Sequence, residues 1–472
     1  MNDRRGVFLA VLRSPVLRRI ELAFLAFSVA EWATWVAVVV YAYGRGGAAE
    51  AGVVAAIQLV PSVVVAPAAA SLGDRYPRSL VLVGTYLLQS AAMAAAAVAL
   101  LANADARVVY ALATVTATAI TLTRPLQSSL VPDVVRTPDE LTAANVASGT
   151  VESAGSLVGP VLASVLIALG GPGLVFAACA AGMLVSAASL LTTGRRAFTA
   201  RRTLATARAE AGPAAVPEGA DVQIAAAGFR TRLRAELVGG LTAIIADRRL
   251  LAVAALGASG WLMLGALDIF YAVLAIDVLG LGEEGVGLLG AATGVGMLVG
   301  SGASVALVGR RHLAAPLVAA AAAFGVSIAA IGLVPQPAAV AVMLGVAGAS
   351  SIVLYVAGQT ATQRYAPPVA MTRVFGVLEG TLMLMTALGA LMVPVLVAIA
   401  GPTGALVIAG LILPMVALMS LRALREADRT LVLPDREIAL LRGVSMFAPL
   451  GPRVIEQLAR ALVPLTVPAG RR

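Results

Sequence analysis

The sequence contains no lysine, one cysteine (Cys179) and one histidine (His312), and only 12% of its 472 residues are charged and 4% aromatic. Soluble domains carry about 25% charged residues. That shortfall, with 60% apolar residues and a mean hydropathy of +0.94, excludes a water-soluble fold. Without lysine there is no Gly-x-x-x-x-Gly-Lys-Ser/Thr loop, so ATP hydrolysis by this chain is not expected. A lone cysteine rules out an internal disulfide, and its place in an apolar run assigns Cys179 to packing. One histidine and one cysteine leave no ligand set for zinc; neither a metal nor another cofactor is expected. The basic charge comes entirely from 34 arginines and gives a net charge of +9.

What is present is apolar length. Runs long enough to cross about 30 Å of hydrocarbon recur twelve times, near 20–43, 50–71, 79–102, 108–131, 142–169, 172–193, 249–279, 284–308, 312–334, 336–361, 371–400 and 402–422. They lack the period-two alternation of a barrel wall. The expected fold is therefore all-α and integral to the membrane. Met1 to Arg19 carries five arginines and no signal-peptide cleavage pattern, so the first span is expected to stay as an anchor. With both termini in the cytoplasm, the outer loops hold only Arg45 and Arg107, while Glu50, Asp105, Asp277, Glu283 and Glu284 lie on or near that outer side. This positive-inside pattern predicts a multi-pass protein of the cell membrane. It also explains the net charge, because the basic face meets anionic lipid; nucleic acid is not an expected partner.

Residues 194–248 divide the spans six and six. The expected domains are a cytoplasmic N-terminus (1–19), a first bundle (20–193), a linker (194–248), a second bundle (249–422) and a cytoplasmic tail (423–472). In the linker, Phe229, Leu233, Leu237, Leu241 and Ile244 recur at spacings of three and four among charged residues. This predicts an amphipathic helix on the cytoplasmic membrane face. The two bundles read as copies: Glu31 and Asp268 are 237 residues apart, and Pro160 and Pro394 are 234 apart. Gly309-Arg-Arg-His312 likewise follows the eighth span as 73–78 follows the second.

Several stretches carry a family resemblance. Ser71-Leu-Gly-Asp-Arg-Tyr-Pro-Arg-Ser79, after the second span, resembles the signature loop of the major facilitator superfamily, with Ala70 and Pro77 where the family usually has glycine. Gly155-Ser-Leu-Val-Gly159-Pro160 resembles the Gly-x-x-x-Gly-Pro element of the superfamily's antiporters. Val131-Pro-Asp and Glu140-Leu-Thr-Ala-Ala-Asn145 are similar to its multidrug and siderophore exporter branch. Arg124-Pro-Leu-Gln127 resembles an Arg-x-x-Gln element that the family links to proton transfer. The resemblance covers about residues 15–424 and implies two pseudo-symmetric six-helix bundles that rock about a central site. It implies that Asp74, Arg75 and Arg78 form a conformational latch. Beyond it, 440–470 is similar to the opening of a cyclic-nucleotide-binding domain, without the phosphate-binding residues, so no cyclic nucleotide is expected to bind.

Charges inside a span are costly and so mark function. Glu31 lies twelve residues past Arg19, about 18 Å along a helix, at mid-membrane. Asp268 is its counterpart in the repeat, set nearer the outer half. Glu152 shares a helix face with Ser148, Gly155 and Gly159, where a packing role rivals proton handling. Glu379, early in the eleventh span, has a salt bridge to Arg373 or Arg364 as its rival role. Arg124 lies in the inner part of the fourth span, where an interfacial arginine is the favoured reading. These five are the candidates for proton coupling. Gly155, Gly159 and Pro160 are expected to let helices approach closely, and Trp32, Trp35 and Trp261 to line a cavity. The expected function is secondary transport, proton-coupled efflux of a small hydrophobic or amphipathic molecule, and not enzymatic. The alternatives are a non-transporting sensor or regulator, and a uniporter or importer of the same fold.

Overall fold

A computed structural model of the chain describes residues 14–75, 78–130, 138–209, 238–307, 312–366, 371–430 and a few positions between 440 and 462. Within these, the side chains at 60, 62–75, 78, 125, 128–129, 138–143, 145–146, 192–209, 305, 371–373, 379 and 429–430 are outside the description. Every regular element among the described residues is helical. Nine of these helices are long and apolar enough to cross a bilayer.

Three helices are too long for one crossing. Pro15–Arg75, Pro138–Ala209 and Met371–Thr430 contain 61, 72 and 60 residues, where about 20 suffice. Each is broken at a glycine with a left-handed backbone: Gly47 at φ 61°, Gly171 at φ 75° and Gly401 at φ 71°, a region that side chains make costly. Pro172 and Pro402 follow two of these breaks and start the next helix, where the missing N–H costs nothing. The breaks define α1 (15–45) and α2 (48–75), α5 (138–169) and α6 (172–209), and α11 (371–400) and α12 (402–430). Between them lie α3 (Arg78–Leu101), α4 (Ala106–Leu130), α7 (Arg248–Ala272), α8 (Glu284–Ser304), α9 (Ala314–Leu333) and α10 (Pro337–Tyr365). α7 runs on as a π-helical turn, Val273–Val278. This order is consistent with the twelve expected crossings. An even number returns both ends to one face, here the terminal face; the opposite face is the distal one.

Helices α1–α6 pack mainly on one another, as do α7–α12, and the two sets meet where α1 touches α7, α2 touches α11 and α5 touches α8. The abundant glycine makes these approaches close. A Cβ on Gly389 of α11 would collide with the Leu262 carbonyl of α7, and one on Gly410 of α12 would stand 2.7 Å from the Gly325 carbonyl of α9. Without a hydrophobic force between helices in lipid, such backbone proximity supplies much of the association. Cys179 is buried in this apolar core.

Some boundaries differ from the sequence expectation. α6 continues to Ala209 rather than ending near 193, and α12 reaches Thr430 rather than 422. Of the amphipathic segment, 238–246 is helical and 229–237 lies outside the described residues. Ile244 docks this helix on Leu250, Ala366 and Val374, while Val238, Leu241 and Ile245 stay exposed. Asp247 then caps α7, accepting from the Arg249 N–H at 2.8 Å. The loop 309–311, the centre of the 73–78 turn and most of the tail with its cyclic-nucleotide-domain likeness lie outside the described residues.

Candidate functional site

The site starts from the crossing of α1 and α5. A Cβ on Gly159 would stand 2.6 Å from the Trp32 Cβ and 2.8 Å from the Val29 carbonyl oxygen, and one on Gly155 would collide with Ser28. Only glycine permits this approach. The Ser28 hydroxyl donates to the Glu152 carbonyl at 3.4 Å. Pro160 turns the other way and packs against α8, where a Cβ on Gly287 would strike its carbonyl oxygen.

The crossing brings Glu31 and Glu152 toward each other, and Arg124 of α4 fills the gap. Its Nη2 donates to Glu31 Oε2 at 2.7 Å and its Nη1 donates to Glu152 Oε1. The interfacial position favoured for Arg124 by sequence is thereby corrected: the guanidinium turns inward, because two carboxylates on neighbouring helices offer it partners that hydrocarbon does not. The side chains are 36% (Arg124), 22% (Glu31) and 45% (Glu152) exposed, so the cluster is partly open. When all three ionise, two carboxylates surround one guanidinium, and one bound proton makes the group neutral.

Asp268 faces the same region from the other half. The Trp35 side chain, one turn past Glu31 on α1, lies beside it. Tyr271, one turn further along α7, donates to Thr293 of α8 at 2.9 Å. Trp261 meets Tyr355 of α10 edge-on, ring centres 6.2 Å apart. Trp32 is wedged between α1 and α5, and its buried indole nitrogen meets no acceptor among the described residues. The three tryptophans thus occupy three different helix contacts.

At the distal face the halves are in contact. The Tyr43 hydroxyl of α1 donates to Asp277 at the end of α7. Cβ atoms on Gly52 and Gly294 would come 2.6 Å from the Ala390 carbonyl and 3.1 Å from the Ser156 carbonyl, across the interface. Nearby, Tyr110 donates to Glu50, and Arg45 lies 3.8 Å from the same carboxylate. Glu283, in the loop before α8, has its carboxyl pushed up by burial and then by the charge of Glu284. Toward the terminal face, Gly149, Gly358, Gly376 and Gly380 meet nothing within 4 Å. Among the described residues, the contacts named here between the halves run from mid-span to the distal face.

For other expected residues only the place in a helix is described. Asp74 and Arg75 end α2, Arg78 begins α3 and Glu379 lies early in α11, but their side chains are outside the description. Two features were missed by sequence. Tyr43 and Asp277 gave no pairing signal, since they belong to different halves. Glu21 was not singled out by sequence; it lies two residues past Arg19, yet it is only 7% exposed.

A bundle of broken apolar helices, closely packed through glycine and holding charged side chains inside, defines a multi-pass membrane carrier. Residues 20–389 match the profile of the Major Facilitator Superfamily, and the chain belongs to that superfamily. Among solved structures it is similar to a POT family transporter in complex with a thioalcohol-conjugated peptide, at 14% identity and a TM-score of 0.63 over 87% of this chain and 96% of that one. It is similar to a peptide transporter POT in complex with sulfate, at 15% identity and a TM-score of 0.64 over 90% and 99%. A bacterial homolog of the human lysosomal transporter Spinster, inward-facing and occupied, shares 14% identity and a TM-score of 0.64 over 88% and 98%. These likenesses show the fold. No curated protein sequence matches the chain. The protein is a transporter of this superfamily and not an enzyme.

Proposed function

We propose that the protein exports a small hydrophobic or amphipathic molecule across the cell membrane in exchange for protons, by rocking of the bundles 20–193 and 249–422 about the site between them. The observation that carries this reading is the Glu31–Arg124–Glu152 cluster. A charge inside a bilayer is retained where it moves with an ion or substrate. This cluster holds one negative charge in excess and becomes neutral on binding one proton. Glu31 is the principal proton carrier, Glu152 shares the proton, and Arg124 holds the two carboxylates in place. Asp268, beside Trp35 of the facing half, reports the state of α1 to α7. Trp35, one turn from Glu31, gives the site an aromatic side suited to an amphipathic or cationic substrate, with Trp32 and Trp261 at the helix contacts around it. Glu379 is a further carboxyl at the terminal side of α11. Asp74, Arg75 and Arg78 act as the latch between α2 and α3. The arginine distribution supports cytoplasmic termini, so the terminal face is the cytoplasmic one.

The test uses everted vesicles with an imposed acid interior, a pH dye and a panel of cationic dyes, drugs and siderophores. Proton release on adding one compound, lost in Glu31→Gln, is the expected result. Flux and pH dependence that survive Glu31→Gln unchanged would overturn the proton assignment.

A further inference from the structure

Below the charge cluster, toward the terminal face, the structure holds a second carboxyl that the exchange reading does not use. Glu21 of α1 is 7% exposed. Its Oε1 accepts from the Ser148 hydroxyl of α5 at 2.7 Å. Its Oε2 is buried and meets no hydrogen-bond partner. The groups facing it among the described residues are Ser148 from α5 and the Tyr86 phenol from α3, which lies within reach of its charge. Arg18 and Arg19 precede it on α1. A permanently ionised carboxylate with one bare, buried oxygen costs far more than a carboxylic acid there.

The position of Ser148 gives this carboxyl a route. Ser148 and Glu152 are four residues apart on α5, so they share a face one turn apart, about 5.4 Å. α1 and α5 run side by side in the same direction: Glu21 meets Ser148, Ser28 meets Glu152 and Trp32 meets Gly159. One line of polar groups thus descends from Glu31 through Arg124 and Glu152 to Ser148 and Glu21. We infer that Glu21 is a second proton-binding site, which exchanges protons with the Glu31–Arg124–Glu152 cluster through Ser148 and delivers them to the terminal face.

The transfer balances without any electron change. The Glu152 carboxyl gives up its O–H proton through one intervening water to Ser148 Oγ. The Ser148 hydroxyl gives its own proton to Glu21 Oε1. One carboxylic O–H bond breaks at Glu152 and one forms at Glu21. Glu31→Gln would stop the exchange at its source, whereas loss of Glu21 would stop it at its outlet.

The inference rests on the proton-exchange reading, but its first test needs no substrate. Infrared difference spectra of the purified full chain in lipid nanodiscs, recorded across a pH step, read protonated carboxyls directly; the probe is the proton. Glu21→Gln, which keeps a partner for Ser148, should remove one carboxylic band that Glu31→Gln leaves in place. Ser148→Ala should shift that band, because the carboxyl loses its hydrogen bond. In vesicles, Glu21→Gln should slow proton-driven flux at least about tenfold, in keeping with loss of a positioned proton-transfer group. A spectrum unchanged in Glu21→Gln overturns the site, and so does an unshifted band in Ser148→Ala should Glu21→Gln fail to fold. A Glu21 band that is present while Glu31→Gln transports normally overturns the exchange reading and with it the delivery role of Glu21, leaving the protonation itself established.

Discussion

Arg124 answers to two carboxylates from different helices, so its removal and theirs have opposite consequences. Arg124→Gln leaves Glu31 and Glu152 facing each other with no counter-charge. Removing one partner from a buried pair costs about 3–5 kcal/mol, but the partial exposure of this cluster brings the expected loss nearer 1–2 kcal/mol. The unfolding temperature in detergent should fall, and the double change Arg124→Gln with Glu152→Gln should recover most of it; no recovery would mean that the ion pairs are not what holds the three helices there. Glu283 sets a pH dependence of definite sign. Burial and Glu284 make the folded chain hold its proton more tightly than the unfolded chain does. Glu283 is therefore neutral in its effect below the ordinary glutamate range and destabilises the fold as pH rises through its raised value. Glu283→Gln should unfold at a higher temperature than the parent at neutral pH and at the same temperature in acid. Glu31 was legible in the sequence because a carboxylate in a long apolar run has few structural excuses. The pairing of Arg124 was not, since it depends on where α4 meets the α1–α5 crossing. Glu21 was not legible either, since its burial depends on how α1 packs against α3 and α5.

Among the elements, α5 tightly restricts the approach of α1. A valine at Gly159 has no room, because the obstruction is Val29 backbone and the Trp32 Cβ rather than a side-chain tip. Gly159→Val should abolish a folded, monodisperse protein in size-exclusion chromatography. Gly155→Ala should fail in the same assay, since the Ser28 Cβ at 2.4 Å, and not only its hydroxyl, stands in the way. The Gly-x-x-x-Gly spacing announced this contact in the sequence, although not its partner. Apolar run length announced the crossings as well, because span length follows from bilayer thickness alone. The extension of α6 beyond 193 was not legible: its arginines read as a charged loop, yet arginine, alanine and leucine are all good helix formers. The turns at Gly47, Gly171 and Gly401 were visible only as gaps between runs, because a two-residue reversal leaves no polar stretch to mark it.

Across the whole molecule, the two halves meet at the distal face through glycine, so bulk placed there should prise them apart. Gly287→Trp cannot be accommodated against Pro160. It should raise maleimide labelling of a cysteine placed at Ser156, read against the silent background of buried Cys179; unchanged labelling would mean that α5 and α8 do not part as a gate. The twofold repeat was legible from the spacing of Glu31 and Asp268, but which parts of the halves touch was not, because a sequence common to every state of a carrier cannot single one out. The end of α7 adds a mechanical consequence. From Val273 to Val278 the helix is wound one residue looser, with the Leu279 N–H reaching back five residues to Leu274 at 2.8 Å. Rewinding that turn to the ordinary pitch would rotate everything beyond it by about 100° without breaking the rod. Asp277 stands in the loose turn and Asp268 below it. α7 is thus built like a screw with one adjustable thread: its tip can twist off Tyr43 while its shank stays beside Trp35.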